Sequence, residues 1–152
     1  MKIRLVCVGK LAGPFKALAE DYLGRLGRLA DLEVVELKDA EAPDGGARLA
    51  KEAERIRAAA APLSDCVLWD ERGEEMDSIA FAKWLEKLEG ASRKRLTLVI
   101  GSSHGVDPAL KAEIPRSLAL SRMTLTHEWA RVMVLEQLYR ACCIRRKIPY
   151  HH

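Results

Sequence analysis

The chain has 152 residues, 49% of them apolar and 31% charged, with a formal net charge of +3. That length suits one domain with a proper core and is short for two, the mixed composition excludes a disordered or fibrous protein, and no run approaches the roughly 20 apolar residues of a membrane span. The mildly basic balance permits a nucleic-acid partner without demanding one.

The opening Lys2-Ile3-Arg4-Leu5-Val6-Cys7-Val8-Gly9-Lys10 puts basic residues before a short apolar run that no small-residue cleavage site follows. It reads as a first strand, Ile3 to Val8, and not as a targeting segment. Pro14 stands where a helix can begin. Phe15, Leu18, Ala19, Tyr22, Leu23 and Leu26 follow at spacings of three and four, which is one helical face. Leu32 to Leu37 predicts a second strand. The turn chemistry of Ala42-Pro43-Asp44-Gly45-Gly46 leads into an alanine-rich helix from Ala47 to about Ala61, which Pro62 stops. Cys66 to Trp69 is a third buried strand, ending on Asp70-Glu71-Arg72-Gly73. Asp77 or Ser78 can cap a helix whose inner face is Phe81, Leu85 and Leu88 and which Gly90 can terminate.

Leu96 to Ile100 is too short for a helix and apolar throughout, so it reads as a strand covered on both faces. It ends on Gly101-Ser102-Ser103-His104-Gly105, where two glycines let the backbone turn sharply and approach a ligand. A short helix near Pro108 to Lys111 and an apolar piece, Ser117 to Leu120, come next. The segment Ser121-Arg122-Met123-Thr124-Leu125-Thr126-His127 then enters a long helix from about Glu128 to Arg146. Alternating strands and helices of this length predict a single α/β domain, 1–152, with a largely parallel sheet. The two loops at 101–105 and 121–127 are where such a sheet builds a small-molecule site. Trp129, Val132, Met133, Val134, Leu135, Leu138, Tyr139, Ala141, Cys142, Cys143 and Ile144 exceed the apolar stripe of about 100° that one packed face needs. A second subunit covering the surplus is the economical expectation, and a helix sandwiched within its own chain is the alternative.

The four cysteines, Cys7, Cys66, Cys142 and Cys143, lie within apolar segments and form no C-x-x-C, the pattern of buried reduced thiols in a cytosolic protein. No two histidines share the i, i+4 spacing of a helical metal site. The 101–105 segment fits G-x-S-x-G, with Ser103 in the nucleophile position and Asp107 and His127 as nominal partners, but it does not open a long helix as that motif requires. The ending Ile148-Pro149-Tyr150-His151-His152 has two readings. Its tyrosine and histidine can stack on a base and bond its edge, or the tail packs back on the domain.

Taken together, the opening nonapeptide, the glycine turn after Val99-Ile100, Leu120 to His127, Arg131-Val132, Glu136 to Ala141 and the terminal Pro149-Tyr150-His151 resemble, over the whole length, the ribosomal large-subunit pseudouridine methyltransferases, the RlmH family of the SPOUT superfamily. The resemblance implies an α/β domain with a C-terminal trefoil knot, a cytoplasmic homodimer and S-adenosylmethionine as methyl donor, with no metal. The acceptor it implies is N3 of a pseudouridine in 23S rRNA on the ribosome. Carried over residue by residue, it implies a donor site of Trp69, Gly101, Gly105, Leu120, Ser121, Arg122, Met123, Thr124 and Leu125. It places His127, Tyr150 and His151 at the acceptor, where His127 or a neighbouring water can assist loss of the proton. Four positions depart from the family's usual pattern: Ser102 replaces a second glycine, His104 an acidic or amide residue, Thr126 a proline, and His152 a basic residue. Two other classes remain, a ribosomal RNA-binding module without chemistry and a serine hydrolase using Ser103.

Overall fold

The computed structural model describes all residues, 1–152. In chain order the elements are β1 (Lys2–Val8), α1 (Gly13–Leu26), β2 (Leu32–Leu37), α2 (Gly45–Ala60), β3 (Cys66–Glu75), α3 (Ser78–Gly90), β4 (Arg95–Ile100), α4 (Pro108–Glu113), β5 (Ser117–Ala119) and α5 (His127–Arg146). The five strands form one sheet in the order β2-β1-β4-β3-β5, every pair parallel.

Strand alternation sorts the side chains into two layers. Ile3, Leu5, Cys7, Leu96, Leu98 and Ile100 point into a core with α1, α3 and α5, while Val6, Val8, Val99 and Leu68 point the other way, onto α2 and α4. The strands read as continuous apolar runs because both faces are covered. Asp44 and Asp77 cap their helices by accepting from Ala47 N (2.8 Å) and Ala80 N (2.7 Å). Chain direction reverses between β1, whose sequel β2 lies on one side, and β4, whose sequel lies beyond β3. Ligands in open parallel sheets bind outside the carboxyl ends of the strands near such a switch.

Two features differ from the sequence-based expectation. The third strand does not stop at Trp69 but resumes and runs to Glu75, with Trp69 and Glu74 both paired to Leu118. Residues 70–73 bulge out between them, and Gly73 lies so close to β5 that a Cβ there would stand 2.6 Å from the Leu118 carbonyl carbon. Polar Asp-Glu-Arg before a glycine imitates a turn, and only the neighbouring strand reveals the bulge. The second difference concerns α5. Its apolar surplus is covered largely within the chain, because it lies between α1 and α3 with Val132, Val134, Leu135, Leu138, Ala141, Cys142 and Cys143 buried. Trp129, at its first turn, is 47% exposed, as is Leu18 of α1 at 41%.

Candidate active site

The carboxyl ends of β3, β4 and β5 open into a cleft of about 580 Å³, within the roughly 300–1,000 Å³ range of small-molecule sites. One wall is the glycine turn. Gly105 donates its N–H to the Ser102 carbonyl (2.9 Å) and sits at φ +87°, where glycine is favoured. Gly101 is glycine for a different reason. A Cβ there would lie 2.6 Å from the Gly105 carbonyl oxygen and 2.5 Å from Val106, so the turn itself, and not a ligand, excludes a side chain. Ser102 is buried and donates through Oγ to Glu52 of α2 (2.8 Å). Glu52 is 2% exposed and also accepts from Ala40 N (3.1 Å). This buried carboxylate therefore ties the turn to α2 and to the loop after β2. His104, at the rim, meets the Arg48 guanidinium (2.8 Å).

The opposite wall pairs the β3 bulge with the 120–127 segment. Thr124 Oγ1 donates to Glu71 (2.5 Å) and Arg122 Nε to Glu75 (3.1 Å), so two bonds hold this segment against the bulge. Asp70 forms an ion pair with Lys111 of α4. Burial alone would raise the Asp70 carboxyl, but the Lys111 ammonium and the Arg72 N–H outweigh it and hold it below the ordinary aspartate value. Thr126 caps α5 by accepting from Trp129 N (3.3 Å). His127 then opens the helix against the end of β1, where a Cβ on Gly9 would come within 2.9 Å of its Nε2. His127 Nδ1 and Trp69 Nε1 are both buried without a hydrogen-bond partner.

Of the residues nominated from sequence, Trp69, Gly101, Gly105, Leu120, Ser121, Met123, Thr124, Leu125 and His127 line this one cleft. Arg122 does not; its side chain is 87% exposed and turned toward Glu75. The sequence reading missed Asp70, Glu71 and Arg72, which line the cleft only because the strand bulges, and Lys111, which follows Asp70 into it. Their one signal was a charged triplet ahead of Gly73. The hydrolase constellation does not assemble. Asp107 is taken up capping α4 through Ala109 N (2.9 Å) and Leu110 N (3.2 Å), and Ser103 meets its own neighbour His104 (3.3 Å). Burial pushes the Cys7 thiol up to about 12 and the Cys66 thiol to about 11, so neither offers a thiolate near neutral pH.

Tyr150 and His151 lie elsewhere in the chain. Lys147, in the left-handed conformation (φ 55°), ends α5, and Ile148 N bonds the Cys143 carbonyl (2.9 Å), which turns the tail back along the helix. Tyr150 donates to Glu136 Oε1 (3.1 Å) and lies edge-on to Tyr139, ring centroids 4.7 Å apart. Its only hydroxyl proton being spent on Glu136, Tyr22 OH is the donor in the 3.3 Å contact between the two phenols. Burial, with those two bonds, pushes the Tyr150 phenol up, so it stays protonated. Glu136 is nine residues along α5 from His127, about 14 Å at 1.5 Å per residue. The tail packs back on its own domain, one of its two expected arrangements, and leaves His151 exposed.

A parallel α/β sheet with a cleft of loop backbone at its carboxyl ends is the arrangement in which open-sheet proteins bind small molecules. The chain belongs to the SPOUT methyltransferase family, since the family described as predicted SPOUT methyltransferase matches residues 1–151. It is 43% identical to a protein of Desulfovibrio desulfuricans, covering 99% of this chain and 97% of the other, and 44% identical to one of Synechococcus sp., covering 99% and 94%. A protein of Rhizobium meliloti is 42% identical, with 99% of each chain covered. All three are named ribosomal RNA large subunit methyltransferase H. The fold is shared with a crystal structure of a probable methyltransferase from Bordetella pertussis Tohama I, at a TM-score of 0.58 and 16% identity, covering 93% of this chain and 96% of that one.

Proposed function

We propose that this chain, acting as one domain, is an S-adenosylmethionine-dependent methyltransferase of large-subunit ribosomal RNA, and that its acceptor is N3 of a pseudouridine in 23S rRNA on the ribosome. The observation that carries the proposal is the cleft, which gathers nine separately nominated residues between the glycine turn and the 120–127 segment. Similarity over 99% of this chain to proteins named ribosomal RNA large subunit methyltransferase H supports it.

The residues present fit the donor. Adenine can be read by the N–H and C=O groups that the turn and the 120–125 backbone bring to the cleft, and the unpartnered Trp69 Nε1 is one more donor within it. When bound, S-adenosylmethionine supplies a methyl group already activated by its sulfonium. The protein's task is then to hold the acceptor nitrogen in line and to accept its proton. His127 lines the cleft, and in this reading its imidazole takes that proton. In the same reading the 120–126 segment forms the trefoil crossing, supported by the bonds that fasten it to the 71–75 stretch.

The enzyme works in this reading as a cytoplasmic homodimer, with the tail of one copy meeting the cleft of the other. Within one chain the tail and His127 are about 14 Å apart along α5. Trp129 and Leu18 expose apolar surface near the cleft end of α5, bridged by Phe15, which packs edge-on to Trp129 at 4.9 Å. Calorimetry with S-adenosylmethionine, followed by methylation of ribosomes that lack the mark and mass mapping of the product, tests the proposal. Ser103→Ala should methylate at the parental rate. Cofactor binding without methyl transfer would leave an RNA-binding module, and no binding would overturn the reading.

A further inference from the structure

We infer that the Glu136–Arg140 pair on α5 is a clamp that fixes the tail so that His151 presents Nε2–H outward, as a hydrogen-bond donor to a carbonyl of the acceptor base and not as the group that takes its proton. The inference rests on the proposed function, in which the tail meets the acceptor.

The clamp leaves Tyr150 little freedom. Its hydroxyl is held by Glu136 and Tyr22, its ring lies edge-on to Tyr139, and the Arg140 guanidinium stands 4.7 Å from its centroid. With one face under a cation and an edge contact on a neighbouring ring, Tyr150 is spent as an anchor and offers little surface for stacking on a base. Arg140 is itself aimed by Glu136, which accepts from its Nε at 3.0 Å and from its Nη2. The remaining Nη1 reaches His151 Nδ1 at 3.3 Å. A guanidinium has only donors, so Nδ1 is the acceptor in this contact, and the ring's proton is on Nε2. His151 is exposed, and Nδ1 is the ring nitrogen that meets Arg140.

A uridine-type imide N3 lies between two carbonyls. As its proton leaves, negative charge spreads onto their oxygens, and a positioned N–H stabilises that charge while a different group, the His127 imidazole in the proposed reading, receives the proton. Arg140 and Glu136 act through the tail side chains they hold. They are positioning residues.

The test is single-turnover methylation of unmodified ribosomes, with cofactor binding measured in parallel. His151→Ala should slow the reaction about 10²-fold, as loss of one positioned donor does. His151→Gln keeps an N–H near the Nε2 position but cannot act as a base, and should remain within about tenfold of the parent. Arg140→Met should lower kcat and leave cofactor affinity unchanged, with partial recovery in Arg140→Lys, which retains a donor. Nitrogen-15 spectra of the parent should show His151 as the Nε2–H tautomer. If His151→Gln is as slow as His151→Ala, or if the spectra show Nδ1–H, the donor role is overturned. If His151→Ala methylates at the parental rate, the tail does not serve the acceptor at all, and that part of the proposed function fails while the activity stands.

Discussion

Ser102→Ala isolates one hydroxyl on which the geometry of the glycine turn depends. Glu52 is 2% exposed and has two donors, Ser102 Oγ at 2.8 Å and Ala40 N at 3.1 Å. Removing the hydroxyl leaves a buried carboxylate with one donor. A hydrogen bond to a charged group contributes about 1.5–3 kcal/mol, and the deleted oxygen is too small to add a cavity cost. The expected destabilisation is about 2 kcal/mol, which lowers Tm by about 4–8 °C in a chain of this size. A double-mutant cycle with Glu52→Gln makes the assignment specific. Urea unfolding of the parent, both single variants and the double variant, at one protein concentration, should give a coupling of at least about 1 kcal/mol. Affinity for S-adenosylmethionine should fall in Ser102→Ala as well, because the loosened segment is one wall of the cleft. A loss below about 0.5 kcal/mol, or additive single variants, would refute the reasoning and show that water or a shifted Glu52 replaces the hydroxyl.

Asp70→Asn should destabilise the protein near neutral pH by up to about 1 kcal/mol, since the partner Lys111 is partly exposed. The Asp70 carboxyl is held below its ordinary value of 3.8, so its contribution is present above that pH and lost as pH falls through the lower folded value. Melting curves of parent and variant should therefore converge in strong acid, and a constant gap would contradict the ion-pair account. Trp129→Glu should shift sedimentation from dimer to monomer while circular dichroism stays unchanged, because the indole is 47% exposed. A variant that remains a dimer would place the interface elsewhere.

Much of the sheet was legible in the sequence because burial on both faces forces continuous apolar runs. Leu96 to Ile100 and Leu5 to Val8 declare themselves, and the glycine turn marks the carboxyl end of β4. The bulge at 70–73 was not legible, since its cause is the approach of Gly73 to Leu118, some 45 residues away in sequence, to be weighed against the local turn-like composition. Nor was the tail's location, set by a contact between Tyr22 and Tyr150, 128 residues apart. Three departures from the family pattern became intelligible only in three dimensions. Ser102 bonds Glu52, His104 meets Arg48, and Thr126 caps α5 with its side-chain oxygen. The first two partners lie on α2, 50 and 56 residues away in sequence, where spacing does not reveal them, whereas the Thr126 cap spans only three residues.

The strand order also sets a timetable for synthesis. β1 leaves the ribosome first, and β2 can occupy one of its edges early, but the other edge pairs with β4, Lys2 against Arg95. At about 5–20 residues per second the 92 residues between Lys2 and Arg95 take roughly 5–20 s to make. The inner face of β1 waits longer still, for α5. A nascent chain therefore carries an apolar strand with an open edge through most of its translation, the kind of surface that aggregates or recruits a chaperone. The edge of β1 thus closes late, and the docking of the tail on α1 comes later still.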